Sequence, residues 1–168
     1  MKPAFVIGID LGTTNSVLSF TPYEVEEAQP RLLEIPQLVA PGTIEQRTTL
    51  PSFLYLARDH EIASKSLDLP WASNQTFAAG EFARRQAAES PERTISAAKS
   101  WLCYSRVDRH QPILPWGAPP EVPRISPVTA AQRYLEHLVA AWHEQFPDAP
   151  LHQQRVVLTV PASFDAAA

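Results

Sequence analysis

The feature that most constrains this chain is the string Gly8-Ile-Asp10-Leu-Gly12-Thr13-Thr14-Asn15-Ser16, set between two short apolar runs. Phe5-Val-Ile-Gly-Ile precedes and overlaps it, and Val17-Leu-Ser-Phe20 follows it. Apolar, partly β-branched runs on either side of turn formers predict a strand, a tight turn and a second strand. Glycines in such a turn let the backbone come close to a ligand, and successive N–H groups with two threonine hydroxyls can donate to phosphate oxygens. Asp10, at the end of the first strand, is placed to hold a hydrated Mg²⁺ near those phosphates. Without a cation the same carboxylate would repel a nucleotide. The string also fits a plain hairpin in which Gly and Thr serve only turn geometry.

Downstream, Leu32-Leu-Glu-Ile35 and Gln37-Leu-Val39 offer a third strand, with Pro36 pointing to an edge or bulge. Three such strands in succession make an antiparallel meander. Pro41-Gly42 breaks the pattern, so an internal boundary is expected between residues 41 and 50. A further strand runs from Leu50 to Leu56 and ends in the charged turn Arg58-Asp-His-Glu61. Good helix formers fill residues 80–90, and residues 94–102 predict a second short helix. The clearest helix starts at Ser126 as N-cap, with Pro127 in the first turn. Its apolar residues Val128, Ala131, Leu135, Leu138, Val139, Trp142 and Phe146 recur at three-four spacing until Pro147. Arg155-Val-Val-Leu-Thr-Val160 then reads as a strand buried on both faces, reached by a crossover onto a partly parallel sheet.

With 168 residues, 45% of them hydrophobic, the chain can bury a core. A net charge of −4 provides no broad basic field, which argues against nucleic acid or an anionic membrane as partner. The single cysteine, Cys103, cannot close an internal disulfide and is expected to be a small core residue. An acid as early as position 10 leaves no room for a signal peptide's apolar region, so a cytoplasmic location is expected. Five histidines without ligand spacing argue against zinc, and His137 and His143 are expected on the flanks of the long helix. Trp71, Trp101 and Trp116 are expected to pack under proline-rich loops, the prolines being densest between Gln111 and Pro127.

Residues 8–16 closely resemble the amino-terminal phosphate loop of the DnaK-type, seventy-kilodalton heat-shock chaperones. Three later segments resemble that family in the same order: Arg47-Thr-Thr-Leu-Pro51-Ser52, Gly80-Glu-Phe-Ala-Arg84-Arg85-Gln-Ala87 and Val157-Leu-Thr-Val-Pro161-Ala-Ser-Phe164. The likeness is vague between Trp101 and Arg124. It implies an α/β fold: an actin-like ATPase (ribonuclease H-like) lobe, a mixed sheet with an antiparallel meander at its start, and an inserted small α+β subdomain. Residues 1–42 and 125–168 would form the main lobe with the phosphate loop, and 43–124 the insertion. The remainder of the nucleotide-binding domain and the peptide-binding domain do not occur in this sequence, which reads as a fragment of a longer protein.

By this resemblance Gly12, Thr13, Thr14 and Asn15 contact the phosphates of ATP or ADP, and Asp10 holds Mg²⁺ through water. Thr13 takes a catalytic position. So does Arg84, which stands where the family has a phosphate-contacting lysine. Arginine keeps the charge but presents a planar fork instead of a compact ammonium, so hydrolysis is expected to be slow, altered or absent. Pro161 matches a proline that relays nucleotide state, although Ser163 replaces the tyrosine expected beside it. Asp165 could cap a further helix. The parent would couple ATP binding and hydrolysis to the binding of unfolded polypeptide, with a J-domain co-chaperone and a nucleotide exchange factor as partners. The fragment alone, carrying one wall of the cleft, would be inactive. Two alternatives stay open: a nucleotide-sensing or protein-binding module with little hydrolysis, and a small-molecule kinase of the same superfamily.

Overall fold

Alternate side chains of the first strand, β1 (Phe5–Leu11), point into the interior, and Ile7, Ile9 and Leu11 are buried. The second, β2 (Asn15–Pro22), does the same with Ser16, Leu18 and Phe20. This is the period-two burial of a sheet covered on one face. A computed structural model describes residues 2–25 and 27–159. In it β1 and β2 pair antiparallel from Phe5↔Pro22 to Leu11↔Ser16, and β3 (Arg31–Leu32) adds to β2 as the third strand of a short meander.

The expected long third strand divides instead. β4 (Ile35–Ala40) leaves the main sheet and forms a separate hairpin with β5 (Thr43–Arg47), Pro36 included. Pro41-Gly42 is the tip of that hairpin, with Gly42 at φ +67°, so the turn expected to end a segment joins two paired strands. The strand expected over 50–56 also divides at Ser52. β6 (Leu50–Pro51) pairs with β2, whereas β7 (Phe53–Leu56) pairs antiparallel with β8 (Phe77–Ala79) and β9 (Thr94–Ser96) in a three-stranded sheet.

Four α-helices occur among the described residues. The charged segment at 58–61 begins α1 (Asp59–Ala63), with Glu61 accepting a bond from the Arg58 N–H at 2.7 Å. α2 (Glu81–Glu89) packs on β7 and β4. Residues 94–102 are not one helix: Ala97 adopts φ +54°, so β9 ends and α3 (Ala98–Leu102) starts afresh. α4 (Pro127–Gln145) forms as its signals predict, and Ser126 Oγ accepts from the Thr129 N–H at 3.0 Å. Its inner face lays Leu138, Ala141 and Trp142 on Ile7, Ile9, Leu18 and Phe20. Trp142 is fully buried, meets Phe5 and Phe20 edge-on and donates Nε1–H to the Ala149 carbonyl at 2.7 Å. Burial of a side chain this large is worth roughly 3–5 kcal/mol against truncation.

From α4 the chain returns to the main sheet as β10 (Arg155–Thr159), parallel to β1. The parallel crossover agrees with expectation, but the burial does not. β10 forms an edge of the described sheet, and Val157 is 52% exposed, with Val156 and Leu158 also open. Among the described residues nothing packs over these side chains closely enough to bury them. The protein is thus of mixed α/β type, with one mixed sheet and two antiparallel ones among the described residues. No described helix is long and apolar enough to cross a membrane.

Candidate functional site

Because β1 and β10 run parallel, their carboxyl ends emerge side by side, and the register sets Asp10 opposite Thr159. Thr159 donates its hydroxyl to Asp10 Oδ1 at 2.7 Å. Asp10 is exposed, so its carboxylate stands on the rim of the sheet where the next turn begins. In open α/β sheets, ligands bind outside the carboxyl ends of the strands.

The turn between β1 and β2 is anchored from beneath. Ser52, which breaks the strand between β6 and β7, donates its hydroxyl to the Gly12 carbonyl at 2.8 Å and its N–H to the Thr14 carbonyl at 2.8 Å. A second buried hydroxyl, that of Ser16, lies 3.2 Å from Ser52 Oγ. Two carbonyls of the turn are thereby committed inward. Thr13, Thr14 and Asn15 are exposed, and neither the N–H nor the hydroxyl of Thr13 or Thr14 donates to another described residue. Gly12 is required here because a Cβ would collide with the Asn15 carbonyl oxygen. Gly8 plays no part in the turn: it lies within β1 opposite Ser19, whose hydroxyl a Cβ would meet at 2.8 Å.

The result is a braced turn in which the exposed Thr13 and Thr14 keep their donors uncommitted close in the chain to one carboxylate, an arrangement that can take anionic oxygens. No group of three or more His, Cys, Asp or Glu suited to a metal ion occurs among the described residues. A single carboxylate fits a Mg²⁺ that keeps its waters and takes phosphate oxygens, and does not fit an all-protein cage.

Arg84 lies on α2, whose start is tied to the same region. Gly80, at φ +92°, sits against Leu50 of β6, and a Cβ there would meet Leu50 Cδ1 at 2.7 Å and Gln37 Oε1 at 2.6 Å. Gln37, fully buried, accepts the Glu81 N–H at 3.0 Å and donates to the Thr49 carbonyl at 2.9 Å. Glu81 is the unexpected member. Its side chain is only 5% exposed and receives Arg84 through both Nε (2.9 Å) and Nη2 (3.0 Å). Arg85 adds Nε at 3.0 Å and donates Nη1 to the Val39 carbonyl at 2.9 Å. The Arg84 bonds, with a lesser share from Arg85, outweigh burial and hold the Glu81 carboxyl below its ordinary range. Glu81 in turn raises the Arg84 guanidinium. The fork that sequence reasoning aims at a phosphate is therefore occupied by a carboxylate of its own helix.

Several side chains lie elsewhere than expected. His137 is buried, not on a flank; its Nε2 is 2.9 Å from the Pro36 carbonyl and its ring meets Trp71 edge-on. Since a carbonyl only accepts, Nε2 carries the proton. Burial, opposed by that bond, pushes the His137 pKa down to about 4. Cys103 is exposed and not in the core. Trp116 is 65% exposed, so it is not packed beneath the proline-rich segment. Pro161, Ser163 and Asp165 lie outside the described residues. Ser52, Glu81 and Thr159 fall within the segments quoted for the resemblance and Gln37 within a predicted strand, but the sequence assigns none of them a role. Ser52, Gln37 and Thr159 take partners set by pairings distant in the chain. Compared with protein-family models and with curated proteins, the chain matches none.

Proposed function

We propose that the turn at residues 12–15 holds the phosphates of ATP or ADP, in an actin-like, ribonuclease H-like nucleotide-binding lobe of DnaK type. The observation that carries this reading is the outward pair Thr13 and Thr14, pinned through Ser52 and adjacent to Asp10 at the ends of two parallel strands. Gly12 lets the backbone pass, the Thr13 and Thr14 N–H and hydroxyl groups donate to phosphate oxygens, and Asn15 flanks them. Mg²⁺, held by Asp10 through water, would neutralise charge on the phosphates. Thr159 orients the Asp10 carboxylate by its hydrogen bond. The contribution of this chain is positioning and charge stabilisation, with no covalent step.

On the resemblance, the whole protein would use ATP to govern its hold on unfolded polypeptide in the cytoplasm, assisted by a J-domain co-chaperone and an exchange factor, with Pro161 in the relay. A second reading, a nucleotide sensor with little hydrolysis, is favoured by one observation: Arg84 already spends its fork on Glu81.

Calorimetric titration of the whole protein with MgATP tests the site. Binding should weaken about 10-fold or more when Thr13→Val and Thr14→Val are combined, and also with Asp10→Asn, a loss of about 1.4 kcal/mol or greater. Equal affinity in folded variants would sink the phosphate-loop assignment. In the whole protein, ATP should release a labelled unfolded polypeptide. Nucleotide binding without such release would retain the phosphate site and remove the chaperone reading.

A further inference from the structure

Trp101, Tyr104 and Trp116 form an aromatic platform far from the phosphate turn in sequence, and it is open to solvent. Trp116 stacks on Trp101 with centroids 5.1 Å apart and planes 28° from parallel, while Tyr104 meets Trp101 edge-on at 5.7 Å. The loop that bears Trp116 is pinned: Leu114 is buried and exchanges backbone hydrogen bonds with Ile125 at 3.0 and 2.8 Å. Leaving a tryptophan 65% exposed on a fixed loop forgoes burial free energy that a partner can recover.

These rings and Ser100, Arg106 and Val107 line an open cleft of about 520 Å³. Arg106 makes no hydrogen bond or ion pair with a described residue, whereas the nearby Arg109 and Arg124 donate to the carbonyls of Leu102 and Ala118. One uncommitted guanidinium beside stacked indoles selects an apolar or aromatic group accompanied by a carboxylate. The openness of the cleft suits a side chain of a longer partner better than a small molecule, which its site normally encloses. Trp, Tyr and Arg are also the residues that dominate protein-binding hot spots. A strand of nucleic acid would need a track of free cations, and Arg106 is the one cation among the residues that line this cleft.

We infer that this cleft is a docking site for an acidic, aromatic-bearing segment of a partner polypeptide. The test uses fluorescence anisotropy with a labelled peptide in which tryptophan and phenylalanine alternate with glutamate. Its lysine counterpart and a labelled oligothymidylate serve as alternatives. The acidic peptide should bind, and Trp116→Ala and Arg106→Gln should each weaken it about 10-fold, with thermal melting unchanged in Arg106→Gln because that side chain is exposed. The lysine peptide should not compete. Absence of binding, equal binding to both variants, or tighter binding of the lysine peptide or the oligonucleotide would each overturn the proposal.

Discussion

Ser52 reaches back across the sequence to Gly12, donating its hydroxyl to the glycine carbonyl at 2.8 Å while its own N–H holds the Thr14 carbonyl at the same distance. Two residues of the turn are thus fixed by one residue at the break between β6 and β7. A turn that must meet an anion without reorganising benefits from this kind of support.

Ser52→Ala should therefore destabilise the protein by about 1–3 kcal/mol, because the Gly12 carbonyl and the buried Ser16 hydroxyl both lose this partner. It should also weaken MgATP binding, although Ser52 itself is buried beneath the turn. Urea denaturation measures the first effect and calorimetry the second. A variant that loses stability but keeps full affinity would show that the anchor is irrelevant to the site.

Tyr134 makes the opposite prediction. The residue belongs to the core cluster with Leu11, Leu54, Ala79 and Ala130; its buried hydroxyl has no hydrogen-bond partner among the described residues, and burial raises its pKa. Tyr134→Phe removes a desolvated polar group and keeps the ring, so stability should stay level or rise by about 1–2 kcal/mol. A clear loss on chemical denaturation would mean that the hydroxyl is bonded in solution.

His137 predicts a pH dependence. Unfolded, the imidazole takes a proton near 6.5; folded, it resists until about 4. Between these values the unfolded state binds more protons, so stability falls as pH falls through that window, by about 3 kcal/mol in all. His137→Gln, which can still donate to the Pro36 carbonyl, should flatten the profile there. If urea midpoints between pH 6.5 and 4 fall equally in both proteins, His137 is not the group responsible.

Glu81 acts lower on the scale. Its carboxyl is held below the ordinary value of 4.5 by Arg84 first, then Arg85. Its stabilisation is complete above that value and is lost as pH drops through the lowered one. Both arginines are more than half exposed, so solvent screening keeps the contribution to roughly 1 kcal/mol. Glu81→Gln should remove this acid-side loss and free the Arg84 fork. If ATP turnover by the whole protein rises in Glu81→Gln, the carboxylate is what restrains Arg84; unchanged turnover would assign the pair a structural role alone.

Much of the backbone plan could be read in advance. Alternation at 5–11 and 15–22, and the Ser126-Pro127 start of α4, are local signals whose physics acts within a few residues. The break at Ala97 carries no turn signal, and the turn signal of Pro51-Ser52 is outweighed by the apolar run around it. Each break is set by which sheet the next strand joins, and by a left-handed backbone at Ala97. His137 is a polar residue within an apolar helix face, and only the Pro36 carbonyl opposite makes its burial tolerable. The exposed β10 was misread because an apolar run gives the tendency to be buried without providing the surface that does so.

By itself, the sequence determined the strand-turn-strand at residues 5–20, the chemistry available in Gly12-Thr13-Thr14-Asn15, the carboxylate at Asp10 and the long helix after Ser126. Each depends on neighbouring residues, where conformational preference and spacing suffice. Tertiary structure alone decided that Asp10 meets Thr159, that Ser52 braces the turn and that Arg84 turns to Glu81. Those contacts follow from strand register and helix docking, which bring together residues far apart in the chain and let burial and hydrogen-bond satisfaction choose among partners that local sequence leaves equivalent.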